Sequence, residues 1–99
     1  LIIRGVNVFP SQIESVILEI PTVLPFYQVI VDRKNNIDTF NIEIETTLKT
    51  QKERDYLSTK IKSKLNSVLG INPNIILLSE NSLKRVEGKA VRVIDNRKL

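Results

Sequence analysis

The feature that most constrains this chain is a change of apolar period between residues 26 and 70. From Thr39 to Thr46, Phe40, Ile42 and Ile44 alternate with Asn41, Glu43 and Glu45. That is the period-two pattern of a strand with one buried and one wet face. From Gln51 to Leu69 the residues Leu57, Ile61, Leu65, Val68 and Leu69 recur at helical spacing, and Lys60, Lys62 and Lys64 stay mostly outside that stripe. Gly70 stands where a left-handed C-terminal cap belongs. Ahead of the alternating segment, Phe26 to Arg33 is rich in β-branched and aromatic residues. Lys34-Asn35-Asn36 between the two has turn chemistry, because asparagine tolerates left-handed backbone angles. The stretch therefore reads as an antiparallel hairpin followed by a long amphipathic helix.

The flanks extend this pattern. Ser11 and Glu14 have capping-box spacing, so a first helix is expected to begin at Ser11, with Ile13, Val16, Ile17 and Ile20 on its apolar face. Pro21 is expected to stop it, and Pro25 to lie in the connection that follows. After Pro73, Asn74 to Ser79 carries the run Ile75-Ile76-Leu77-Leu78, which suggests a central strand or one covered on both faces. Further on, Leu83-Lys84-Arg85 reads as a short strand, Glu87-Gly88-Lys89 as a turn, and Asp95 to Lys98 as a polar tail. With a short leading strand the order is βαββαβ-like. The expected fold class is α+β: a two-layer sandwich of ferredoxin-like type, two helices on one face of a mainly antiparallel sheet. Many unrelated functions use this architecture.

Composition narrows the chemistry. With 99 residues there is room for a single domain, residues 1–99. The absence of cysteine excludes disulfides and thiolate chemistry, and the absence of histidine excludes an imidazole base. A reducing, cytoplasmic location is compatible with the missing cysteines. No apolar stretch approaches a membrane span, so no membrane partner is expected. Leu1-Ile2-Ile3 lacks the charged start and cleavage site of a signal peptide, and reads as a cut made inside a longer protein. The net charge of +4 suits an anionic partner such as a nucleotide or an acidic domain. No aromatic-rich basic strand accompanies it, and nucleic acid is not expected as a partner.

Two short runs at opposite ends carry more. Near the start stands Arg4-Gly5-Val6-Asn7-Val8-Phe9-Pro10-Ser11-Gln12-Ile13-Glu14, and near the end Arg85-Val86-Glu87-Gly88-Lys89-Ala90-Val91-Arg92-Val93-Ile94-Asp95-Asn96-Arg97. In this order and at this separation they resemble the C-terminal domain of adenylate-forming enzymes, most closely that of the phenylacetate–coenzyme A ligases. There the second run looks like Arg-Ser-Glu-Gly-Lys-Ala-Lys-Arg-Val-Ile-Asp-Asn-Arg, so this chain departs at Val86 and Val91 and keeps the glycine–lysine pair. Taken alone, Lys89 is a lysine in a glycine turn, and most such lysines are solvated. Gly5 alone permits a turn before the first helix.

The resemblance implies an ATP-dependent, AMP-forming ligase of an aryl or aliphatic carboxylic acid with coenzyme A, and it suggests an acid of aryl-acetate (phenylacetate) type. Lys89 would be the catalytic lysine of adenylate formation. A large N-terminal adenylation domain, with the hinge residue ahead of Leu1, would hold ATP, Mg²⁺ and the acid. After the acyl-adenylate forms, the C-terminal domain would rotate, withdraw Lys89 and bring the loop around Gly5 into the site as part of the pantetheine channel. Arg4, Gly5, Asn7 and Gly88 are the expected cofactor-binding positions, and no metal ligand is expected in this chain. This chain on its own is expected to be inactive. The alternative is a stand-alone ferredoxin-like regulatory or small-ligand-binding module without catalysis.

Overall fold

Two consecutive asparagines fold the longest strands back on each other. Asn35 and Asn36 take φ of 53° and 65°. Positive φ at both central residues is what a two-residue hairpin loop of type I′ demands. A computed structural model of the chain describes residues 1–83 and 91–97. In chain order its elements are β1 (Ile2–Ile3), β2 (Val6–Asn7), α1 (Pro10–Ile17), β3 (Val23–Lys34), β4 (Ile37–Thr46), α2 (Gln51–Leu69), β5 (Asn74–Leu78) and β6 (Val91–Asp95).

The alternation in β4 does what its pattern dictates over most of its length. Phe40, Ile42 and Ile44 are fully buried, and they sit opposite Val31, Val29 and Tyr27 of β3. Each such side chain contributes about 1.5–3 kcal/mol when removed from water. Against this face lie Ile13, Val16, Ile17 and Ile20 from the α1 region and Leu57, Ile61, Leu65 and Leu69 from α2, in one continuous core. The result is the expected α+β sandwich of a sheet and two helices.

The four-stranded sheet runs β5-β4-β3-β6. Its long central pair is antiparallel, as expected. Both outer pairs are parallel, β4 with β5 and β3 with β6, so the sheet is mixed where a mainly antiparallel one was expected. Helix α2 returns the chain to the end from which β4 started, so the next strand must run the same way. The strand β5 lies at an edge and Ile76 there is 40% exposed, which corrects the expectation of a strand that is central or covered on both faces. The leading strand does not join this sheet either. It pairs with β2 in a separate two-stranded hairpin.

Helix α2 has the expected bounds. The Thr50 hydroxyl accepts from the Glu53 N–H at 3.2 Å, and Gly70, at φ 82°, donates to the Asn66 carbonyl at 2.8 Å. Val68, counted in the apolar stripe, is instead 47% exposed, because the buried row is Leu57, Ile61, Leu65 and Leu69 at strict i, i+4 spacing. Helix α1 departs from expectation at both ends. It starts at Pro10 with Phe9 as N-cap, and Gln12 Oε1 reaches back to the Phe9 N–H at 3.0 Å. Ser11 is already inside the helix. Proline is favoured at the first position because its fixed φ fits and its missing N–H would be unpaired there. The helix ends at Ile17, and Glu19 and Ile20 close tighter turns onto Val16 and Ile17. Pro25 falls within β3 rather than before it, where the register shifts between Val23 and Tyr27. A residue without an N–H fits such an irregularity. Of the segment expected as a strand over 83–85, Lys84 and Arg85 lie outside the described residues, as does the turn Glu87-Gly88-Lys89.

Candidate functional site

The turn between β1 and β2 consists of Arg4 and Gly5, at φ 52° and 78°. Gly5 takes that angle freely, since it has no Cβ, and the position where one would stand is open space for 4 Å around. Arg4 is held in it. Its backbone N–H donates to Asp38 Oδ2 at 3.3 Å and its Nε to the Asp38 carbonyl oxygen at 3.1 Å. Arg4 thus meets an acidic residue of its own chain.

Asp38 organises more than this turn. Its Oδ1 accepts from Arg33 Nε at 2.8 Å and its Oδ2 from Arg97 Nη1 at 3.1 Å. The Arg33 hydrogen bond, against the opposing effect of burial, holds its carboxyl below the usual aspartate range, with help from the Arg4 N–H and Arg97. Arg97 also donates to the Ile2 carbonyl at 2.5 Å and, through Nη2, to Asp95 Oδ2 at 2.9 Å. Its hydrogen bonds hold the Asp95 carboxyl down at about 2. The described part of the expected polar tail, Asp95 to Arg97, is therefore stitched to the first hairpin. Arg4, Arg33, Asn36, Ile37 and Asp38 surround a cavity of about 380 Å³ beside this cluster.

A second buried acid sits near the far end of β4. Glu45 was expected on the wet face with Glu43, but it is fully buried. Its Oε1 accepts from the Asn81 N–H and its Oε2 from the Leu83 N–H, each at 2.9 Å. The segment after β5 folds over that end of the strand and takes Glu45 out of water. Asn81 itself turns at φ 65°, and the Ser82 hydroxyl closes onto the Ser79 carbonyl at 2.6 Å. Glu43 stays half-buried and takes a hydrogen bond from Gln28.

Of the expected site residues, the structure brings Arg4 and Gly5 together in one turn. Asn7 follows on β2, with its Oδ1 3.4 Å from the Leu1 nitrogen. Gly88 and Lys89 lie outside the described residues. Both ends of their segment are placed: Leu83 is bonded to Glu45, and Val91 pairs with Tyr27. Asp38, Glu45 and Arg97 were not anticipated. Asp38 was legible, since it shares the parity of Phe40, Ile42 and Ile44 and so points to the buried face. Glu45 had the opposite parity, and nothing local marked its burial.

Among the described residues no group of three or more acids comes together to hold a metal ion. The two buried carboxylates are already engaged by arginines and backbone N–H groups, so they do not form a Mg²⁺ site. Tyr27 and Phe40, the aromatic residues of the central strands, are both in the core, so neither is exposed to stack on a base. The Tyr27 hydroxyl has no hydrogen-bond partner among the described residues, and burial, with Glu14 nearby, pushes its pKa up. No helix among the described residues is long and apolar enough to cross a membrane.

The family model described as "AMP-binding enzyme C-terminal domain" matches residues 5–97. The chain is 35% identical to the phenylacetate-coenzyme A ligase of Escherichia coli over 103 residues, which is 100% of this chain and 24% of that protein. It is 33% identical to the enzyme of the same name from Thermus thermophilus, over 99% of this chain and 26% of that protein. The chain thus spans about a quarter of these relatives' length. Among solved structures, a domain of phenylacetate-coenzyme A ligase from Bacteroides vulgatus superposes with a TM-score of 0.89 at 27% identity, covering 99% of this chain and 92% of that one. A 2-hydroxyisobutyryl-CoA ligase bound to 2-HIB-AMP and CoA in the thioesterification state shares the fold, with a TM-score of 0.86 at 23% identity over 97% of this chain and 21% of that one.

Proposed function

The chain belongs to the AMP-binding enzyme C-terminal domain family, and on that premise we propose that residues 1–99 are the mobile lid domain of an AMP-forming acyl–coenzyme A ligase acting on an aryl-acetate-type acid. ATP, Mg²⁺ and the acid are held by a larger N-terminal domain, and the lid serves both half-reactions. The observation that carries this reading is that the family match runs through both functional runs, from Gly5 to Arg97 with Gly88 and Lys89 between them.

The chemistry follows from charge. Activating a carboxylate with ATP brings one anion against another. Lys89, a compact and flexible cation, holds the carboxylate oxygen and the α-phosphate together and offsets the charge that builds as pyrophosphate leaves. Gly88 lets the backbone approach the nucleotide. A donor aimed at developing charge in a water-excluded site is worth about 3 kcal/mol or more. After adenylation the lid turns about its hinge. Lys89 withdraws and the Arg4-Gly5 turn enters, where an empty Cβ position at Gly5 leaves room for the pantetheine arm. Arg4 and Asn7 border that channel, and coenzyme A attacks the acyl-adenylate through its thiol, releasing AMP.

The test is Lys89→Ala in the full-length ligase, with the half-reactions assayed separately. Adenylation from acid and ATP is expected to fall by about 100-fold or more, while preformed acyl-adenylate still reacts with coenzyme A. Normal adenylation in this variant would remove the catalytic assignment. ATP consumption by residues 1–99 alone would contradict the division of labour between the domains.

A further inference from the structure

Strand β4 carries two buried carboxylates with different burdens. Asp38, the second residue of the strand, lies on the core face, and Glu45, near the other end, lies on the opposite face. Seven residues of strand separate them by roughly 23 Å. Asp38 binds the turn that contains Gly5, through the Arg4 N–H and, by way of Arg97, the Ile2 carbonyl. Glu45 binds the root of the segment that runs to Lys89, through the Asn81 and Leu83 N–H groups. Lys89 follows six residues after Leu83. Neither acid is explained by the hydrophobic core, and each spans a long sequence separation to reach a backbone N–H: 34 residues for Asp38 to Arg4, and 36 and 38 for Glu45 to Asn81 and Leu83.

We infer that Asp38 and Glu45 are positioning residues, one for each half-reaction: Glu45 fixes the base of the adenylation loop and Asp38 fixes the thioester-forming turn. The inference rests on the lid reading above. Its physical basis is that a carboxylate accepting two donors fixes both in direction and distance, and charge-assisted bonds in a buried setting are the stronger kind. An amide in place of Glu45 turns an NH₂ group toward a backbone donor and loses the bond to Asn81 or the bond to Leu83. The same change at Asp38 loses an acceptor shared among Arg4, Arg33 and Arg97. Because the two acids stand at opposite ends and on opposite faces of a single strand, the lid's two working surfaces are registered against one rigid element.

The experiment is to assay Glu45→Gln, Asp38→Asn and Lys89→Ala in the full-length ligase, each in both half-reactions, with hydrogen exchange followed at the Arg4, Asn81 and Leu83 amides. Glu45→Gln is expected to slow adenylation by about 10- to 100-fold, keep thioester formation near normal, and speed exchange at Asn81 and Leu83. Asp38→Asn is expected to give the mirror image, with slowed thioester formation and faster exchange at Arg4. Equal losses in both half-reactions for either variant, or no loss, overturn the inference. If Lys89→Ala abolishes adenylation while the crossed pattern is missing, the lid reading stands and the positioning roles fall. If Lys89→Ala leaves adenylation intact, both fall together. Should the amide variants fail to fold, Glu45→Asp and Asp38→Glu keep the charge and displace it by one methylene. The crossed pattern is expected from them too, and its absence overturns the inference.

Discussion

Gly5→Ala and Gly70→Ala form a matched pair. Both glycines have positive φ, 78° and 82°, and at both the added Cβ meets no heavy atom within 4 Å. Neither substitution creates a clash, so the cost in each is backbone strain alone. Placing an L-residue in the left-handed region costs about 1–2 kcal/mol. Alanine also restricts the unfolded chain, which offsets about 0.4–1 kcal/mol of that. The net loss is about 1 kcal/mol for either variant, or about 4–8 °C in midpoint for a domain of this size. Thermal unfolding of the 99-residue chain by circular dichroism measures it. The two variants then separate in the proposed full-length ligase. Gly5→Ala narrows the proposed pantetheine path and is expected to slow thioester formation by about tenfold or more, with adenylation kept. Gly70→Ala, at the cap of α2, is expected to leave both half-reactions within about twofold. Equal thioester rates in the two variants would refute the channel role of Gly5. A Gly70→Ala variant as stable as the parent would refute the strain argument itself.

Acid is expected to weaken the fold over a defined range. The folded-state pKa of Asp38 is lowered and that of Asp95 lies at about 2, so both contribute stability above their unfolded value of about 3.9, and that contribution is lost as pH falls toward 2. Unfolding midpoints measured from about pH 6 to pH 2 are expected to drop below about pH 4, and Arg97→Met is expected to flatten the drop by removing a cation that both acids face. Thr50→Ala removes the acceptor for the Glu53 N–H and is expected to cost about 1 kcal/mol in urea unfolding. Ile61→Ala, in the fully buried row of α2, is expected to cost about 2–5 kcal/mol by the same assay.

Helix α2 was legible from the sequence to the residue, because everything that bounds it is local: an i, i+4 apolar row and a glycine that can turn left-handed at its end. The Asn35-Asn36 turn was legible for the same reason. The bounds of α1 were not, since Ser11 has the chemistry of a cap while Pro10, favoured at the first helical position, starts the helix one residue earlier. What failed elsewhere was non-local. The apolar run in β5 suggested a covered or central strand, but β5 stands at the edge, where Ile75 and Leu77 are only partly buried and Ile76 is exposed. Glu45 obeyed the alternation rule, and the rule was defeated by a segment arriving from 36 residues away. The importance of Arg97 depends on Asp38, 59 residues earlier. At the candidate site the Gly5 turn was readable as a turn, but not the acid that holds it.

The hydrogen bond from Arg97 to the Ile2 carbonyl joins residues 95 positions apart. Mechanically it closes the domain into a ring. A force applied at Ile2 does not have to travel through two helices and a sheet to reach β6; it arrives there in one step, through Arg97 and Asp95. Strand β6 also forms the far anchor of the segment that ends at Val91. A load entering at the first hairpin therefore has a short path to strand β6 as well as to the Gly5 turn. A body wired this way carries the two ends of its described chain as one piece.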